Sequence, residues 1–425
     1  MRRPTVAHAL QPSAARSHPS STSIRIGNRP GAIDRLAQRM VLQQLDGSVS
    51  GPIELRLPDG SSRRIGTGEA DGIQVEIEDW SFFRRLVSGA DIGAGESYMD
   101  GHWRCSDLPE LLRRVIISGA FARPSSAWAR LGHRLNALAR FRNANTLRGS
   151  RRNIASHYDL GNALYELFLD ETMMYSCAEF DAGLSLRDAQ ERKLDGICSR
   201  LGLRQGHRVL EIGSGWGGFA VHAAERYGCH VTTLTLSVEQ AAFVRERVRA
   251  AGLQGRVDVE LCDYRRATGS YDRLVSIEMF EAVGYEFYRA YFEACERLLR
   301  PGGKMFLQTI TVPDQRFDEY RQGFDFIRKH VFPGGLLASL HEIATTLRRY
   351  TELQIDWMRD IGPSYAPTLR AWRERFLDRR AEVRALGYDE RFVRMWEFYL
   401  ASCEAMFATR SLGDAQIVLH RPHPT

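Results

Sequence analysis

No stretch of this 425-residue chain approaches the roughly 18 consecutive apolar residues that a membrane-spanning helix needs. Any contact with lipid is therefore expected at a surface. Cysteine is scattered: Cys105, Cys177, Cys198, Cys229, Cys262, Cys295 and Cys403 are seven in number, widely spaced and without a CxxC pair. This argues against a disulfide framework and a zinc knuckle, predicts no metal site, and fits a reducing cytoplasm. The start, MRRPTVAHAL, lacks the apolar core of a secretory leader. Acids are missing from two stretches. Residues 1–30 hold five arginines and no Asp or Glu, and residues 111–158 hold ten, again with no acid. Such stretches point to an anionic partner, with nucleic acid and anionic phospholipid as the two candidates.

What is present reads as a globular chain of two or three domains, since 44% hydrophobic and 26% charged residues are ordinary for one. Residues 1–30, rich in Ser, Pro and Arg, are expected to be a disordered basic tail. Residues 31–120 suggest a small α+β domain. PIELRLPDGSSRRIG alternates around a Pro-Asp-Gly turn, a hairpin signal, and IQVEIEDW (73–80) alternates again. SFFRRLVSG and LPELLRRVIISG then read as helices. Residues 121–152 place Trp128, Leu131, Leu135, Leu138 and Phe141 at helical spacing between arginines. That pattern suits an amphipathic linker lying on a membrane, or equally one docked on the protein itself.

From residue 153 to the end, strands alternate with helices of 10–15 residues, the signature of βαβ units around a parallel sheet. HRVLEIGSG, HVTTLTLS, RVDVELCDY, YDRLVSI and KMFLQTITV are the expected strands, with later ones near 351–358 and 415–421. The helix YRAYFEACERLLRPGG is expected to run to its Pro-Gly-Gly. Between the first strand and its helix stands VLEIGSGWGGF (209–219). Glycines there let a ligand approach the backbone, and the helix N-terminus offers free N–H groups. Gly213, Gly215 and Gly218 satisfy GxGxxG, so NAD is one reading. Against it, the place about 20 residues on, where an acid would hold a ribose, is Thr235. Glu211 instead precedes Gly213 by two residues. This ExGxGxG form is similar to the first motif of S-adenosylmethionine (SAM) methyltransferases, and CDY (262–264) resembles their adenine-binding position.

With these pieces placed, the chain resembles the cyclopropane-fatty-acyl-phospholipid synthase family, which includes the mycolic acid cyclopropane synthases. The resemblance is carried by NIASHYDLGNALYELFLDETMMYSCAEF (153–180), VLEIGSGWGGFA (209–220), LTLSVEQ (234–240), YDRLVSIEMFEAVG (271–284), FIRKHVFPGGLLAS (326–339), SYAPTL (364–369) and RMWEFYLASCEAMF (394–407). GAGESYMDGHW (93–103) looks like the accessory domain of two-domain members. The implied architecture is a class I SAM-methyltransferase fold, Rossmann-like with a seven-stranded, mostly parallel sheet, preceded by the small α+β domain.

The implied reaction moves a methyl group from SAM to the double bond of an unsaturated acyl chain in a membrane phospholipid. A cyclopropane chain results, through a carbocation deprotonated by bound bicarbonate or by Glu281. The partner is then phospholipid at an anionic membrane surface and not nucleic acid. The setting would be the inner face of the cell membrane, and a homodimer stays open. The resemblance carries the anion cage onto Cys177, Glu281, Ile310 and Tyr365, with Gln308 where the family has histidine. Glutamine cannot take up a charge. A methylene- or methyl-branched product is therefore the rival outcome. SAM would be held by Tyr175, Ser176, Glu211, Gly213, Gly215, Trp216, Gly217, Thr235, Gln240, Asp263 and Tyr264. Tyr158 and Phe332 would line the pocket, and Glu278 is an acid without an assigned role. A small-molecule methyltransferase and a nonenzymatic membrane-binding protein remain as the other readings.

Overall fold

The computed structural model describes residues 29–46, 48–68, 72–119 and 160–423. The tail to residue 28, the 121–152 linker and Tyr158 lie outside the described residues. Of the ten arginines in 111–158, Arg113 and Arg114 are described, and both are engaged. Glu110 accepts from Arg113 at 2.5 and 2.8 Å and from Arg114 at 2.7 Å.

Among the described residues there are two sheets. The first comprises β1 (Ile53–Arg56), β2 (Ser62–Ile65), β3 (Ile73–Ile77) and β4 (Trp103–Cys105), in the order β2-β1-β3-β4. The expected hairpin forms, with β1 and β2 antiparallel and Gly60 at φ +83° closing the turn. Along β1, Ile53 and Leu55 are buried while Glu54 and Arg56 face out, the alternation of a sheet covered on one face. The helices Ala32–Leu45 and Ser81–Met99 pack on each other beside this sheet. The second helix breaks at Ala90 (φ 46°). Just past the break, Asp91 accepts a hydrogen bond from the Phe326 N–H at 2.9 Å.

The second sheet has seven strands: β5 (Arg208–Ile212), β6 (His230–Thr235), β7 (Val257–Leu261), β8 (Tyr271–Ile277), β9 (Leu299–Thr311), β10 (Gln354–Asp360) and β11 (Gly413–His420). Their order is β10-β11-β9-β8-β5-β6-β7. β11 runs antiparallel to β9 and β10, and the other neighbours are parallel. The strand order reverses at β5, which pairs with β6 on one side and β8 on the other. Ligands of open α/β sheets sit at such a point, outside the carboxyl ends of the strands.

One expected boundary moves. The helix Tyr288–Leu298 stops before Pro301, and β9 already begins at Leu299. Arg300 precedes a proline, which disfavours helical backbone there. Arg421 Nη1 donates to the carbonyls of Glu296 and Leu299 at 2.8 and 2.6 Å, satisfying groups the helix end leaves open.

One apolar cluster runs from Val75 and Trp103 of the small sheet through Phe326 and Phe398 to Trp396 and Trp216, while the seven-stranded sheet packs in two further clusters, around Leu210, Leu274 and Leu307 and around Val209, Val275 and Phe306. The helix Glu390–Ala408 bridges the two sheets by packing on Ser81–Met99 and Leu108–Ser118. Gly95 permits the approach. A Cβ there would lie 2.3 Å from the Phe326 ring and 2.9 Å from Phe398.

Candidate active site

At the carboxyl edge of β5, the chain turns through Gly213 (φ +97°) and Gly215 (φ +48°) into the helix Gly218–Tyr227. Side chains are disfavoured at both conformations. Gly213 also lacks room, because a Cβ would stand 2.9 Å from Met279 Cγ. Glu211, Gly213, Gly215 and Trp216 all line a cavity of about 1030 Å³. This is at the upper end of ordinary ligand clefts, about 300–1,000 Å³.

The next two strands add polar groups to the same end. Thr235 donates its hydroxyl to Gln240 Oε1 at 2.9 Å, while Gln240 Nε2 is buried without a partner among the described residues. Asp263 is pinned by Arg265, which donates from its backbone N–H at 3.0 Å, from Nε at 2.8 Å and from Nη2 at 2.6 Å. Burial works against ionisation of Asp263, but these donors outweigh it and hold its carboxyl below the usual range. Tyr264 lines the cavity beside it. Burial pushes Glu211 up to about 8, and Thr233 donates to it at 2.5 Å. An orphaned amide donor, a tight glycine turn and buried acids at a sheet's carboxyl edge fit a polar, positively charged ligand such as SAM. Glu211, the glycine turn, Thr235, Gln240, Asp263 and Tyr264 would hold it.

The assignments in TMMYSCAEF separate on inspection. Tyr175 lines the cavity, with its hydroxyl 2.9 Å from that of Tyr399 and its ring stacked toward Phe332. Ser176 also lines it, but its hydroxyl accepts from the buried Lys193 ammonium at 2.6 Å. The Cys177 thiol is wholly buried, donates to the carbonyls of Ala178 and Ile361, and also stands beside the Asp414 carboxyl. Burial holds that thiol well above its ordinary pKa, so it is no thiolate nucleophile. What Cys177 offers the site is its backbone N–H.

That N–H donates to Glu278 Oε1 at 2.7 Å. Gln308 Nε2 donates to the same oxygen at 2.8 Å, and the Tyr365 hydroxyl donates to Glu278 Oε2 at 2.5 Å. Glu278 follows the end of β8 in the left-handed region, at φ +47°, and lines the cavity. Gln308 also donates to Asp414 Oδ2 at 3.0 Å, and its own Oε1 accepts from Gln416 at 3.2 Å. Glu281 sits close by with different partners. Its Oε1 accepts from the Ile310 N–H at 2.6 Å and from Thr309 Oγ1 at 2.9 Å, and its Oε2 is buried without a partner among the described residues. Burial first, and then the Glu278 carboxylate, push Glu281 up to about 8. Asp414 is raised as well, by burial and then by Glu278 and Glu281.

Thus Cys177, Gln308 and Tyr365 meet at one carboxylate, and Ile310 and Glu281 meet beside it. Sequence reasoning missed that Glu278 is the meeting point. The available signal was an acid at the carboxyl end of a parallel strand. Asp414, Lys193 and Arg265 carried none.

Beyond these carboxylates the cavity turns apolar. Phe332, Tyr399 and Phe407 line its middle, and Val41, Ile53, Ile65, Val75 and Leu86 of the small sheet and its helices line the far end. One space therefore joins the glycine turn to the interior of the accessory sheet.

Comparison with known proteins shows the family and the fold. The family described as mycolic acid cyclopropane synthetase matches residues 145–417. The chain is 42% identical over 385 residues to the tuberculostearic acid methyltransferase of Mycobacterium tuberculosis, covering 88% of each. It is 36% identical over 363 residues to the cyclopropane-fatty-acyl-phospholipid synthase of Escherichia coli, covering 84% of this chain and 89% of that one. Among solved structures, a mycolic acid cyclopropane synthase complexed with SAH and CTAB superposes with a TM-score of 0.60 at 32% identity, covering 63% of this chain and 97% of that one. The fold is that of the class I SAM methyltransferases. The chain belongs to the mycolic acid cyclopropane synthetase family and is a SAM-dependent methyltransferase.

Proposed function

We propose that the protein methylates the double bond of an unsaturated acyl chain in a membrane phospholipid. The observation that carries this reading is the cavity. Its polar end suits the methyl donor, its apolar end suits a long chain, and carboxylates and aromatic rings stand where the two would meet. When bound, SAM supplies an electrophilic methyl group. An alkene needs no base to attack it, but attack leaves a carbocation. Aromatic faces such as Tyr175, Phe332 and Tyr365 and the Glu278 carboxylate stabilise positive charge in the dry interior. The buried apolar walls also exclude water, which would trap the cation.

A proton of the added methyl group must then leave. If its electron pair closes onto the cationic carbon, a cyclopropane chain results. Gln308 in place of the family histidine, and the identity to a tuberculostearic acid methyltransferase, favour a second outcome. There a hydride shifts to the cationic carbon before the proton leaves, giving a methylene branch of the same composition. A saturated methyl branch would need a hydride donor in addition.

The resemblance also implied bicarbonate as the base. The residues present do not fit a separate ion. The Cys177, Gln308 and Tyr365 donors are engaged on Glu278, and the Ile310 N–H on Glu281. No step here passes through bicarbonate.

Access would be from the membrane surface, since among the described residues no helix is long and apolar enough to cross a bilayer. Ile33 and Leu36, 67% and 61% exposed on the first helix, suit contact with lipid. The basic segments 1–30 and 121–152 would contribute attraction to anionic headgroups, weakened by salt. Formation of SAH in the presence of purified protein, SAM and phospholipid vesicles tests the reading. Turnover is expected with monounsaturated chains and not with saturated ones. Equal turnover on both, or turnover on soluble amines alone, would overturn it.

A further inference from the structure

Three donors from distant parts of the chain converge on the Glu278 carboxylate. The separations are 101 residues to Cys177, 87 to Tyr365 and 30 to Gln308, at 2.7, 2.5 and 2.8 Å. Both oxygens accept, which is the bonding pattern of a carboxylate anion. The backbone of Glu278 sits at φ +47°, a left-handed conformation that glycine adopts freely and a residue with a Cβ does not. Strain of this kind persists where surrounding contacts over-determine it, and it gathers at functional sites. Two observations thus single out one side chain. A convergent anion cradle is filled, and the residue filling it is held in a conformation it would not choose.

Resting on the acyl-methylation reading, we propose that Glu278 is the site's own anion and takes the proton from the added methyl group, doing the work of a bound bicarbonate. A C–H bond of that methyl group breaks. Its electron pair closes onto the cationic carbon, directly or after the hydride shift, and the proton passes to a Glu278 oxygen. A proton beside a carbocation is so acidic that a well hydrogen-bonded carboxylate suffices, and placement matters more than basicity. The neighbouring acids are less suited. Glu281 and Asp414 are raised by burial, and each stands next to the charge of Glu278. Tyr365 is raised too, by burial and then by Glu278, so its hydroxyl keeps its proton and remains a donor.

The test compares wild type, Glu278→Gln and Glu278→Gly in carbon-dioxide-free buffer, with and without millimolar sodium bicarbonate or formate. Wild type should turn over equally well in both. Glu278→Gln should lose about 100-fold or more in turnover, the low end of what a lost general base costs. SAM affinity should hold within about 2-fold, since Glu278→Gln keeps the shape. Glu278→Gly empties the cradle and relieves the strained backbone, but it leaves the three buried donors for an added anion to meet. Added formate or bicarbonate should raise its activity severalfold, a rescue that a merely structural glutamate would not show.

Binding of 13C-labelled bicarbonate, followed by line broadening, adds a readout without turnover. The glycine variant should broaden the line, and wild type should not. The inference is overturned if wild type requires or binds bicarbonate, or if Glu278→Gln keeps most of its activity. A wild-type protein that methylates no vesicle lipid would sink the acyl reading instead, while the bicarbonate-binding arm would still decide what fills the cradle.

Discussion

The Tyr365 hydroxyl lies 2.5 Å from Glu278 Oε2, joining the helix Gly362–Asp378 to the end of β8. Its ring packs against Phe407 with centroids 4.4 Å apart. Tyr365→Phe keeps the packing and removes one charge-assisted donor, an interaction of about 1.5–3 kcal/mol. The expected result is turnover lower by about 10- to 100-fold, with SAM affinity unchanged. Steady-state kinetics and calorimetry check this.

Glu281→Gln should behave differently from Glu278→Gln. Glu281 is raised to about 8, so near neutral pH it is mostly uncharged, and glutamine is its near-isostere. The glutamine carbonyl can still accept from the Ile310 N–H. Activity near pH 7 is expected to stay within about 10-fold of wild type, less than a lost base would cost. A larger loss than Glu278→Gln suffers would move the base to Glu281.

The pH dependence of stability follows from the same burial. Glu211 and Glu281 are raised to about 8, and Asp91 to about 6, with burial the first cause in each case. Each binds its proton more tightly folded than unfolded. Their contribution to stability is therefore complete below the ordinary carboxyl range and is lost as pH rises through 6 and then 8. The Tm of the ligand-free protein should fall between pH 6 and pH 9, and fall less steeply in Glu281→Gln. A Tm that rises over that interval would contradict the burial of these acids.

The glycine turn gives a cofactor-side prediction. Gly213→Ala places a Cβ 2.9 Å from Met279 Cγ at a left-handed φ. The turn must shift, and SAM affinity should drop by about 10-fold, equivalent to about 1.4 kcal/mol. At the other end, Leu86→Trp fills part of the apolar arm. It should weaken transfer to long acyl chains while leaving SAM affinity intact. Titration with SAM and vesicle kinetics separate the two ends.

Much of the fold was legible because its signals are local. Period-two alternation marked β1 and β3, and the strand–glycine–helix succession marked β5 with its turn. At the helix boundary at Leu298 the local signal was Pro301, which disfavours helical backbone at Arg300, while the partner of the open carbonyls, Arg421, lies over a hundred residues on. The cavity lining was legible where a motif names a residue, as at Gly213 and Gln240. It was not legible at Glu278, because Cys177, Gln308 and Tyr365 reach it only through the folded sheet, and its left-handed φ leaves no mark in composition or periodicity.

The most direct test uses SAM carrying a 13C-labelled methyl group, the purified protein and vesicles of a monounsaturated phospholipid, with NMR of the extracted lipid. The label is expected in a ring methylene or an exocyclic methylene of the acyl chain. Label on a headgroup nitrogen or oxygen, or no label in lipid, would contradict the account.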